Sequence, residues 1–271
     1  MKILIDSHVH STLSHDGKSS VDEHIKKLEE LGLSEITLTE HYDRYEGVES
    51  NLHTIDLDNY KKVYDDLKNN KVNFGIEIGL RPECSKEIIE DATKYPFDFV
   101  IGSSHITCGK DMSKDESFFY GKTKEEAINS YLDEVLENIH LYHDYFDVYG
   151  HIDYVVRYII KYYGLDNTYK LDYIIFKDKL DEILSSLIKY GKGIEINTSG
   201  IRYGLGVPHP TKEIIKRYKE LGGKIITVGS DAHVDTDLAA DFDIALDILL
   251  ECGFNEYAVY HKRIPTFYNI K

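Results

Sequence analysis

The strongest constraint on the fold is an alternation repeated along the whole chain. Short β-branched or aromatic runs alternate with amphipathic helical stretches, many of them ended by a glycine. Seven runs are read: Ile3 to Asp6, Glu35 to Thr39, Val72 to Glu77, Phe97 to Gly102, Phe146 to Gly150, Gly193 to Asn197 and Lys224 to Gly229. Helical patterns span Val21 to Leu31, Glu125 to Tyr142, Tyr173 to Tyr190 and His209 to Leu221, the last stopped by Gly222-Gly223. Such alternation predicts parallel strands joined by right-handed crossovers. Seven units within 271 residues favour one closed α/β barrel, with a doubly wound open sheet as the alternative. No repeat, low-complexity stretch or Pro/Gly/Ser-rich linker interrupts the pattern, so residues 1–271 are read as a single domain.

In parallel α/β folds the ligand site lies at the carboxyl ends of the strands, so the residues leaving each run are the informative ones. They are His8-Val9-His10, Glu40-His41, Glu77, Ser103-Ser104-His105, Gly150-His151-Ile152-Asp153 and Ser230-Asp231-Ala232-His233. The chain has 13 histidines, so a four-residue window holds one by chance roughly one time in six. Five of the seven strand exits hold one. Imidazoles gathered with carboxylates are the ligand set of zinc, iron or manganese. In His8-x-His10, alternate side chains of an extended segment point the same way and can share a metal. Asp231-x-His233 repeats this spacing at the opposite seam of the barrel, and His15 follows the first run in the turn Ser14-His15-Asp16-Gly17.

Other features carry blander readings. His24, His53, His140, His143 and His261 lie away from the strand exits and are read as surface or helix-packing residues, and His209, before Pro210, as structural. Cys84, Cys108 and Cys252 are an odd number at distant positions, which indicates neither a disulfide framework nor a thiolate zinc knot. Ser103-Ser104 lacks the Gly-x-Ser-x-Gly context of a nucleophile. The segments 106–122, with Phe118-Phe119-Tyr120, and 154–172, rich in Tyr, are longer than a barrel needs; each is either a substrate lid or rim packing. Asp and Glu number 48 against 32 Lys and Arg, a net charge of -16 that disfavours nucleic-acid binding. The start, Met1-Lys2-Ile3-Leu4-Ile5, is too short an apolar run for a signal peptide and no later stretch approaches membrane-spanning length, so a cytoplasmic protein is expected.

These residues together resemble the PHP (polymerase and histidinol phosphatase) phosphoesterases, and within them the stand-alone histidinol-phosphate phosphatases of about this length. The matching motifs run in order from Asp6-Ser7-His8-Val9-His10 through Ser14-His15-Asp16-Gly17, Thr39-Glu40-His41, Gly75-Ile76-Glu77 and Ile101-Gly102-Ser103-Ser104-His105. They continue with Gly150-His151-Ile152-Asp153, Glu195-Ile196-Asn197 and Gly229-Ser230-Asp231-Ala232-His233. The resemblance implies a distorted (β/α)7 barrel and three divalent transition-metal ions, zinc first, with iron or manganese possible. It implies one ion held by His8, His10, Glu77 and Asp231, a second by Glu77, His105 and His151, and a third by His15, His41 and His233. It places phosphate-gripping arginines at Arg157 and Arg202, and Asp231 and His233 are candidates for proton transfer to the leaving group. The reaction expected is metal-dependent hydrolysis of a small phosphate monoester, L-histidinol phosphate, to L-histidinol and phosphate in histidine biosynthesis. The alternatives are another small ester or nucleotide, or a non-catalytic metal-binding module. The imidazole and ammonium of the substrate would meet Phe118, Phe119 or Tyr120 and a carboxylate such as Asp153.

Overall fold

The computed structural model describes residues 2–44, 54–67 and 71–270. Seven parallel strands form one sheet in chain order: β1 (Ile5–Val9), β2 (Glu35–Asp43), β3 (Val72–Gly79), β4 (Phe99–Ser103), β5 (Val148–Tyr149), β6 (Gly193–Asn197) and β7 (Ile226–Gly229). The sheet curls until its edges meet. Asp231 N donates to the His8 carbonyl at 2.8 Å, His10 N donates to the Ala232 carbonyl at 2.8 Å, and Val9 bridges Ala232 in parallel. The closed barrel, not the open sheet, is the fold, and His53 lies outside the described residues.

The helices each bury one apolar stripe, and three of them also have a side-chain cap at their start. α1 (Val21–Leu31) opens on a capping box in which Ser20 accepts from Glu23 N while the Glu23 carboxylate reaches back to Ser20 N. α4 (Lys124–Tyr142) does the same with Thr123 and Glu126. α2 (Leu57–Asp66), α3 (Ser85–Lys94), α5 (Val156–Tyr163), α6 (Lys177–Lys189), α7 (Lys212–Glu220) and α8 (Phe242–Glu251) complete the outer layer. Leu28, Ile88, Leu132, Ile139, Leu184 and Ile215 project from five of these helices into the core around the barrel.

Among the boundaries that differ from the sequence reading, three share one physical reason. β1, β2 and β3 continue two to four residues beyond the apolar runs, because ladder pairing extends through polar residues: Glu40 pairs Ile76, His41 pairs Glu77 and Asp43 pairs Gly79. His8 and His41 therefore sit on strands rather than after them, and Glu77 sits within its strand rather than at its end. Asp231, by contrast, has a left-handed φ of 55°, so Asp231-x-His233 turns and is not an extended repeat. Its strand also closes against β1, which sets Asp231 and His233 directly beside His8 and His10.

A C-terminal antiparallel hairpin, Glu256–His261 with Ile264–Asn269, was not legible as part of the alternation. It covers the amino-terminal end of the barrel. Tyr260 stacks on Phe99 at 5.1 Å between centroids and joins Ile101 and Val148 in a small apolar cluster. Arg263 Nε donates to Asp147 at 2.6 Å, just before β5. Among the described residues, no helix is long and apolar enough to cross a membrane.

Candidate metal centre

The carboxyl ends of the seven strands converge on a set of buried imidazoles and carboxylates. On β1, His8 Nε2 and His10 Nε2 lie 2.9 Å apart. Both face Glu77 Oε2, at 3.4 and 3.5 Å, and Asp231 Oδ1, at 3.7 and 3.3 Å. Four donor atoms from β1, β3 and the β7 exit thus surround one point. The other Glu77 oxygen, Oε1, lies 3.2 Å from His105 Nε2 and 2.8 Å from His151 Nε2, which are themselves 3.4 Å apart. One carboxylate therefore links two groups of donors.

A third group contains His41 Nε2 and His233 Nε2, 3.3 Å apart. Asp16 Oδ2 lies 3.3 Å from His233 Nε2 and 3.7 Å from His41 Nε2. Asp16 sits in the motif that drew attention to His15, yet the sequence reading passed over it. His15 stands further out, a third exposed, its ring centroid 5.8 Å from that of His41. His10 and His41 also stack, at 4.0 Å, and His41 Nδ1 is 2.9 Å from Glu77 Oε2, so the three groups are contiguous.

The arrangement suits a cation. Burial alone would push the Glu77 carboxyl up, but the imidazoles of His105, His8 and His41 hold it well below the usual carboxylate range. Asp231 behaves alike, with burial outweighed by His8, His10 and His233. Burial, reinforced by His41 and His233, drives His10 well below the usual imidazole value, so its ring is neutral. Glu77 Oε2 is buried and faced by the imidazole nitrogens of His41, His8 and His10 at 2.9, 3.4 and 3.5 Å, and an ionised buried oxygen is costly to leave without a donor or a cation. Against burial, neighbouring carboxylates hold the imidazoles of His8, His41, His105 and His233 above their usual value; with those protons displaced, imidazole nitrogens aimed at one another and at ionised carboxylates are the donor set of a divalent transition metal.

Second partners orient these rings as metal sites require. His8 Nδ1 lies 2.6 Å from Glu195 Oε1, and His105 Nδ1 lies 2.8 Å from Asp43 Oδ1. Ser103 Oγ donates to Glu77 Oε1 at 2.7 Å, a supporting role in place of a nucleophile's. His24 Nε2 donates to the His10 carbonyl at 3.0 Å from within α1, the helix-packing role expected of it. The barrel seam needs Gly229: a Cβ there would lie 2.3 Å from His8 Cβ and 2.7 Å from Glu195 Oε1. Asp43 carried no signal of its own in the sequence, because a carboxylate behind a ligand looks like any strand-end acid, and Glu195 stood in the Glu195-Ile196-Asn197 motif with no role assigned to it.

Both arginines adjoin the centre. Arg202 Nη2 donates to the carbonyls of Ser230 and Asp231 at 2.8 and 3.0 Å, and its Nε lies 3.2 Å from Asp237 Oδ2. Its Nη1 is buried with no partner among the described residues. Arg157 Nη2 donates to Ser199 Oγ at 2.5 Å and lies 3.9 Å from Asp231 Oδ2.

The centre opens into a cavity of about 260 Å3 lined by His15, Asp16, His41, Asp43, His105, Asp111, Ser113, Lys114 and Tyr154. Segment 106–122 therefore splits: its polar half lines the cavity, while Phe118 and Phe119 are buried in the core and Tyr120 is exposed and packs toward Tyr162. Asp153 is also withdrawn, buried beside His209 Nδ1 at 2.5 Å. The aromatic wall and the carboxylate expected from these four residues are not at the cavity, whose lining offers Tyr154 and Asp111 instead.

The PHP domain model matches residues 6–199. The chain is 32% identical over 265 residues, 98% of its length and 100% of the relative's, to the protein named "Probable histidinol-phosphatase" of Clostridium acetobutylicum. It is 29% identical over 259 residues, 94% of both chains, to the histidinol-phosphatase of Lactococcus lactis. The crystal structure of histidinol phosphate phosphatase from Lactococcus lactis, complexed with zinc, L-histidinol and phosphate, superposes with a TM-score of 0.83 at 27% identity, over 97% of this chain and 99% of that one.

Proposed function

The chain belongs to the PHP domain family, and on that premise we propose that it hydrolyses L-histidinol phosphate to L-histidinol and phosphate, the dephosphorylation step of histidine biosynthesis. The observation that carries the reading is Glu77, whose two oxygens each face a different pair of imidazoles, at 3.4 and 3.5 Å and at 3.2 and 2.8 Å. A carboxylate so placed suits a bridge between two cations.

In this reading His8, His10, Glu77 and Asp231 hold one ion, Glu77, His105 and His151 a second, and His15, His41 and His233, with Asp16 added, a third. Zinc is the first choice, in keeping with the zinc in the Lactococcus lactis relative, and iron or manganese suit the same donors. Divalent ions supply Lewis-acid charge and the acidity that makes water a nucleophile at neutral pH. The chain's own residues do the rest. Arg202, with an unpartnered Nη1, and Arg157 donate to phosphoryl oxygens and stabilise the charge that gathers on them in the transition state. His233 Nδ1 donates to the Asp231 carbonyl at 3.0 Å, which leaves Nε2 for the third ion; Asp231, with His233 fixed beside it, is then the group that passes the proton to the leaving alkoxide.

The test is phosphate release from L-histidinol phosphate, other small monoesters and short DNA, with metal content measured on the same sample. Histidinol phosphate should be the preferred ester and chelation should abolish turnover. Full activity in a metal-free, chelator-treated sample would overturn the mechanism, and a better small ester would overturn the substrate.

A further inference from the structure

We infer that His209, oriented by Asp153, is a positioning residue that aims the Arg157 guanidinium at the phosphoryl group; this rests on the reading of Arg157 as a phosphate ligand. His209 is completely buried and its backbone pairs in both directions with Asn197 at the end of β6. Its ring is engaged at both nitrogens. Arg157 Nε lies 3.0 Å from Nε2 and Asp153 Oδ1 lies 2.5 Å from Nδ1. An arginine N–H can only donate, so Nε2 must accept, and the ring proton must sit on Nδ1, where Asp153 receives it. The second Asp153 oxygen accepts from Thr211 N at 3.3 Å, which fixes the carboxylate in turn.

The choice of a neutral ring has a consequence for the arginine. A carboxylate in direct contact would orient the guanidinium but cancel the charge that a phosphate needs. Here the Asp153 carboxylate is one imidazole away, so orientation is transmitted without adding a second anion to Asp231, whose Oδ2 lies 3.9 Å from Nη2. Ser199 Oγ accepts from Nη2 at 2.5 Å, and the Tyr154 and Tyr203 rings lie 5.0 and 4.1 Å from the guanidinium carbon. A side chain with four rotatable bonds is thereby reduced to one orientation, beside Asp231.

The test is a double-mutant cycle on the metal-loaded enzyme, read as inhibition by inorganic phosphate and as KM and kcat for L-histidinol phosphate. His209→Asn keeps a group that can donate to Asp153 but is too short to reach Arg157, whereas His209→Gln presents a carbonyl oxygen to Nε. His209→Asn should weaken phosphate inhibition and raise KM by roughly tenfold, the scale of one hydrogen bond to a charged group, with metal content and Tm held. His209→Gln should recover most of that loss. In an Arg157→Ala background, His209→Asn should add nothing. An equal loss in both backgrounds, or none in the wild-type background, would overturn the positioning role. If Arg157→Ala itself leaves phosphate inhibition unchanged, it is the reading of Arg157 as a phosphate ligand that fails, and the inference fails with it.

Discussion

Asp43 Oδ1 lies 2.8 Å from His105 Nδ1, and the space Asp43 occupies exists only because its ladder partner is a glycine: a Cβ on Gly79 would lie 1.9 Å from that oxygen. The bond fixes the tautomer of His105 and turns its Nε2 toward Glu77. Asp43→Ala should leave the barrel folded yet lower metal affinity at the Glu77–His105–His151 group by about 10- to 100-fold, the usual cost of losing a partner behind a metal ligand. Gly79→Ala should do the same by displacing Asp43. Metal titration of the stripped protein measures both, and unchanged affinity in Asp43→Ala would mean that His105 needs no orientation.

Glu77 is the point where two donor groups meet, and His15 stands at the edge of a third. Glu77→Ala should therefore lose most bound metal and nearly all kcat, and His15→Ala far less of either. Asp16→Ala should reduce metal content more than His15→Ala, since Asp16 is within 3.3 Å of His233 Nε2. Elemental analysis of the wild type should give more than two ions per chain. Equal metal content in Glu77→Ala and wild type would remove the bridging role.

Arg202 fixes its fork on two backbone carbonyls and leaves Nη1 unpaired in the interior, a costly state for a buried donor unless a ligand completes it. Arg202→Ala should keep its metals and lose roughly ten- to a hundredfold in kcat/KM, the equivalent of about 1.5 to 3 kcal/mol for a hydrogen bond to a charged group. Loss of metal with normal activity per bound ion would place Arg202 outside the substrate site.

How much of this was legible in the sequence depended on which residues advertise their role. His8, His10, His41, His105, His151 and His233 are an uncommon residue type collected at strand exits, and strand exits can be located from apolar runs alone. Asp43 gave no such signal in a chain with 48 acidic residues, and Glu195 and Asp16 stood inside matching motifs with nothing to mark their role. Their significance is a matter of which nitrogen they face, and pairing across β2, β3 and β6 decides that. Phe118 and Phe119 misled for the opposite reason. An apolar pair in a long loop resembles a ligand wall, but the hydrophobic effect buries such a pair wherever the core has room, and here both are inside. The C-terminal hairpin escaped because a two-stranded antiparallel ladder breaks the strand-helix rhythm that exposed the barrel.

Specificity turns on the cavity wall beyond the metals and arginines. L-Histidinol phosphate carries a dianionic phosphate, an ammonium and an imidazole, so a fitted pocket needs an aromatic surface and an acid away from the phosphate end. With Phe118, Phe119 and Asp153 buried elsewhere, Tyr154 and Asp111 are the lining residues of the right chemistry. Tyr154 stacks within 5.1 Å of His151 and is thereby held against the metal groups. The enzyme should favour histidinol phosphate over glycerol phosphate by well over tenfold in kcat/KM, because each buried polar group left unpaired costs about 1 to 3 kcal/mol. Tyr154→Ala and Asp111→Ala should narrow that ratio by lowering kcat/KM for histidinol phosphate more than for glycerol phosphate, while Phe119→Ala should lower Tm and leave the ratio alone. Paired kcat/KM measurements on the two esters decide it: a ratio unmoved by either cavity substitution would take Tyr154 and Asp111 out of substrate recognition.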